Sequence, residues 1–91
     1  MSEVIARDVV VSGLVQGVFF RASASDQALQ LGVAGWVRNE PNGSVRAHVE
    51  GPPAAVAAML DWCSHGPRRA DVRGVDVTET EVTGATTFEV R

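Results

Sequence analysis

Residues 13–21 read Gly-Leu-Val-Gln-Gly-Val-Phe-Phe-Arg. An alternating apolar stretch containing Val9 and Val11 leads into Gly13 and Gly17, and a helix-like pattern follows with Arg21 at its mouth. The implied order is strand, tight loop, helix start. Glycine permits positive φ and lets a ligand approach main-chain N–H groups closely. The first amides of a helix have no internal partner, and the helix dipole there favours negative charge. Arginine adds a rigid fork of donors. Such a stretch is suited to holding a phosphate or carboxylate. Taken alone, an ordinary strand-to-helix connection also fits. Neither the nucleotide P-loop spacing nor the Gly-x-Gly-x-x-Gly fingerprint of dinucleotide-binding folds is present.

Working outward, residues 5–13 are expected to form a first strand, with Val9 and Val11 on one face and Val10 on the other. Phe20, Ala24, Ala28 and Leu31 recur at helical spacing, which predicts a helix over about 21–32 ending at Gly32. A second strand spans 34–39, and Pro41-Asn42-Gly43 marks a turn. The third strand, 44–50, alternates Val45, Ala47 and Val49 inward with Ser44, Arg46, His48 and Glu50 outward, so His48 is expected to be solvated. Pro52 and Pro53 open a second helix whose Val56, Met59, Leu60 and Cys63 form an apolar stripe. Residues 72–82, with Val75 and Val77 inward, and 86–90 complete the strands.

This order predicts an α+β, ferredoxin-like split βαβ fold: β-α-β-β-α-β plus a short C-terminal edge strand, both helices on one face of an antiparallel-type sheet. The length of 91 residues predicts one domain. The net charge of −3 speaks against a nucleic-acid surface, and no apolar run approaches the length of a membrane span. No basic region followed by a hydrophobic stretch opens the sequence, so no leader is expected. With one cysteine, Cys63, a cytoplasmic setting is expected. All eight basic residues are arginine, which removes lysine chemistry, and two histidines with one cysteine are too few for a zinc cage without carboxylates. Cys63 and His65 form a Cys-x-His pair, but Cys63 lies on the apolar stripe and reads as a buried thiol.

Residues 11–21 together with residues 35–51, which contain Gly35-Trp36-Val37-Arg38-Asn39, Gly43, Val45 and Gly51, resemble the two signatures of the acylphosphatases. The resemblance implies hydrolysis of acyl phosphates to a carboxylate and inorganic phosphate, with no metal or other cofactor. By the same resemblance, Arg21 binds the phosphate group and Asn39 positions the attacking water. Val15, Gln16, Gly17, Val18, Phe19 and Phe20 form the main-chain cradle, and the last strand lies at the sheet edge beside the second. The implied ligands are a small acyl phosphate and, as product-like anions, phosphate or sulfate; a monomer is expected. Glu40 departs from the usual neutral residue and places a carboxylate near the anion site. A non-catalytic anion-binding module of the same fold is the alternative reading. An RNA-binding module of this architecture fits poorly with the acidic balance.

Overall fold

The computed structural model describes residues 3–91. Its elements are β1 (Ile5–Leu14), α1 (Phe20–Leu31), β2 (Ala34–Asn39), β3 (Val45–Gly51), α2 (Pro53–Cys63), β4 (Asp71–Thr80) and β5 (Phe88–Val90). The strands form one sheet in the order β4-β1-β3-β2-β5. Neighbours pair antiparallel except β2 and β5, which run parallel, so the sheet is mixed. This is the split βαβ arrangement, with β3 inserted between β1 and β2.

Each strand's alternation decides what it buries. Val9, Val11, Val37, Val45, Ala47 and Val49 point to one face and meet Ala24 and Ala28 of α1 and Val56, Met59 and Cys63 of α2. Small alanines on α1 let that helix lie close to the sheet. Gly32, in the left-handed region at φ 74°, ends α1. Burial of Cys63 pushes its thiol up to about 12, so it packs as a small apolar residue and offers no thiolate.

Three expectations need correcting. Gly13 does not belong to the anion loop: it sits inside β1, at a bulge against β4. A Cβ there would lie 2.2 Å from the main-chain oxygen of Asp71. Val77 is 47% exposed. It faces the same side as its register partner Val9, but β4 is the outermost strand and the helices do not cover it there.

The largest correction concerns β3. His48 and Glu50 lie on the face away from the helices, yet both are buried. The segment joining β4 to β5 folds over them: Glu50 accepts hydrogen bonds from the amides of Thr83, Gly84 and Ala85 and from the Thr83 hydroxyl. His48 joins Glu50 through Nε2 and Asp8 through Nδ1. Asp8 in turn accepts from Arg46 at 3.0 Å.

Candidate active site

β1 and β2 are each antiparallel to β3 and therefore parallel to one another, and β5 is parallel to β2. The C-terminal ends of β1, β2 and β5 consequently lie at the same end of the sheet. The loop after β1, the last residue of β2 and the end of β5 meet there around a cleft of about 320 Å³. Arg21, Asn39, Gly17, Phe19, Phe20, Val15 and Val90 all line it.

The loop is anchored by its apolar residues. Val15, Val18 and Phe20 are buried, whereas Gly17 and Phe19 are exposed. Phe20 packs against Trp62 of α2, ring centroids 5.2 Å apart. Gly17 and Phe19 both take positive φ, 74° and 65°. No side chain caps the start of α1, and its first turn holds no acidic residue. Among the described residues, none accepts a main-chain hydrogen bond from the amides of residues 16–20; the first α-helical bond runs from Ser23 N–H to Phe19 O at 3.0 Å. The cleft therefore faces a cluster of open N–H donors at a helix N-terminus, an arrangement suited to an anion.

Among the described residues, Arg21 is the only charged one lining the cleft. Its Nη1 donates to the main-chain oxygen of Arg91 at 2.8 Å. Arg91 itself lies over the Trp36 ring at 4.9 Å, with Arg38 also over that ring at 4.8 Å, and it pairs with Glu89 at 3.0 Å. The end of β5 is thus fixed by Trp36 and in turn orients Arg21.

Asn39 is the last residue of β2 and is exposed to the cleft. Gln16 and Val18 do not line the cleft with their side chains. Val18 is buried, and the Gln16 side-chain amide donates to the main-chain oxygens of Glu40 and Ser44 at 2.8 and 2.9 Å. Gln16 therefore clamps the loop to the β2–β3 turn immediately after Asn39. Asn42 closes that turn by accepting from the Ser44 amide and hydroxyl at 3.1 and 2.6 Å. Glu40 is drawn to Arg38 at 3.1 Å and stays out of the cleft, so its carboxylate does not oppose an anion there.

Sequence reasoning missed two contributors. Val90 was read only as part of an edge strand. Gly35, at φ 137°, would place a Cβ 1.7 Å from the main-chain oxygen of His48, so β2 approaches β3 there in a way only glycine allows.

The acylphosphatase family model matches residues 7–90. An acylphosphatase of Nocardioides sp. is 58% identical over 86 residues, which cover 94% of this chain and 87% of the relative. One from Anaeromyxobacter dehalogenans is 50% identical, covering 100% and 99%. The solved structure of an acylphosphatase from Coxiella burnetii superposes with a TM-score of 0.93 at 36% identity, covering 97% of this chain and 93% of that one. The chain belongs to the acylphosphatase family. It is an enzyme, and its reaction is the hydrolysis of acyl phosphates.

Proposed function

We propose that the cleft binds the phosphoryl group of a small acyl phosphate through the loop amides of residues 15–20 and the Arg21 guanidinium, and that Asn39 orients the attacking water. What supports this reading is one observation: Arg21, Asn39 and the uncapped start of α1 line the same cleft.

An acyl phosphate carries a good carboxylate leaving group, so no general acid has to protonate it. Phosphoryl transfer then requires chiefly positioning and neutralisation of charge on the equatorial oxygens. Preorganised amides and one guanidinium supply both. The Asn39 amide is no base near neutral pH, but its oxygen accepts a hydrogen bond from water and holds it in line with the leaving oxygen. Water adds to phosphorus, the bond from phosphorus to the acyl oxygen breaks with its electron pair going to the carboxylate, and the water proton passes to a phosphate oxygen. No metal or organic cofactor has a task in this scheme. The chain acts as a single domain and a monomer, and its lone buried thiol fits the reducing cytoplasm.

Steady-state kinetics on benzoyl phosphate, with chelator present and inorganic phosphate as inhibitor, test the roles. Arg21→Ala is expected to lose about 10²–10³ in kcat and to weaken phosphate inhibition, as for a lost oxyanion donor. Asn39→Ala is expected to lose turnover while keeping the phosphate inhibition constant. Normal turnover in either variant, or dependence on a chelatable metal, overturns the scheme.

A further inference from the structure

We propose that this cleft selects acyl phosphates with an apolar, especially aromatic, acyl group, and that Phe19 and Val90 form the surface that recognises it. The proposal deepens the reading above and rests on it.

Phe19 is the only non-glycine residue with positive φ among those described, at 65°. A bulky side chain is an outlier in that region, and strain of this kind gathers at functional sites. Glycine would hold the same backbone conformation without steric strain and present the same amide. What the strained residue adds is its phenyl ring. That ring is 69% exposed at the cleft, and Val90, across the cleft on β5, is 49% exposed. Two exposed apolar side chains thus border the place where a phosphoryl group would be held, and the acyl group is joined to that group through a single oxygen.

The charges around the cleft point to the same class of substrate. Arg21 is the only charged residue in the lining among those described, and the phosphoryl group would occupy it. The nearby Arg38 and Arg91 are paired with Glu40 and Glu89 and lie over Trp36. An acyl group bearing a second carboxylate or phosphate would find no further cation among the described residues that line the cleft, whereas an aromatic one would cover the exposed ring and the valine.

The test compares kcat/KM for benzoyl, acetyl and succinyl phosphate in the wild type, Phe19→Asn, Phe19→Leu and Val90→Ala. Asparagine tolerates the left-handed conformation, so the loop's backbone demand is respected. Comparing substrates within one protein cancels both the folded fraction and any general damage to the loop. Comparing that ratio between proteins cancels the intrinsic reactivity of each substrate. The benzoyl-to-acetyl ratio is expected to fall about tenfold in Phe19→Asn, to fall less in Val90→Ala, and to be largely kept by Phe19→Leu. An unchanged ratio in Phe19→Asn overturns the proposal, as does a wild type that prefers succinyl to acetyl phosphate. A wild type that hydrolyses none of the three overturns the functional reading itself, an outcome distinct from hydrolysis without selectivity.

Discussion

Arg21 spends one donor on the main-chain oxygen of Arg91 and keeps the rest of its fork for the cleft. A lysine would carry the same charge but could not hold that oxygen and a phosphate together in a fixed plane. Arg21→Lys is therefore expected to recover only a small part of the activity lost in Arg21→Ala, with kcat/KM still down by about 10²; steady-state kinetics decide it. The places of Arg21 and Asn39 in the fold were legible in the sequence, one at a helix start and one before a turn, while the roles proposed for them came only from the resemblance to the acylphosphatases. The surroundings of His48 and Glu50 were not legible. Strand alternation tells which face a side chain takes, and says nothing about what covers that face. The covering segment around Thr83, Gly84 and Ala85 has no apolar periodicity that would announce where it folds.

At the level of the elements, two ties hold the parts of the site in place. Gln16 joins the β1–α1 loop to the β2–β3 turn across the width of β3, since β1 and β2 lie about 10 Å apart with a strand between them. Gln16→Ala is expected to lower kcat/KM between about ten- and a hundredfold by letting the loop drift from Asn39, while the melting temperature changes little. The second tie is Glu50, which holds the segment leading into β5. Burial pushes its carboxyl up, but the hydrogen bonds from His48, Thr83 and Ala85 outweigh this and bring it from the usual 4.5 to about 2. A carboxyl lowered in the folded state adds stability that is complete above the unfolded value and is lost as pH falls from about 4.5 towards 2. Urea unfolding across that range is expected to show this loss, and Glu50→Gln to remove most of the pH dependence while lowering stability at pH 7. A pH-independent difference between the two proteins would contradict the role given to Glu50.

Across the whole molecule, topology does what no single motif can. Residues 18 positions apart converge because β3 inserts between β1 and β2 and leaves the latter two parallel. The fold was readable because each element's period, its glycine stops and its proline starts agreed with one another. The bulge at Gly13, the close approach at Gly35 and the covered face of β3 were not readable, because each depends on a partner distant in sequence. The central claim is that one anion pocket, made by loop amides and Arg21, is served by Asn39 from a neighbouring strand. Its most direct test is an amide NMR titration with inorganic phosphate on the wild type, Arg21→Ala and Asn39→Ala. The account predicts saturable shifts centred on the amides of residues 16–21, retained in Asn39→Ala and lost in Arg21→Ala. Shifts centred elsewhere on the molecule, or an equal response from Arg21→Ala, would contradict it.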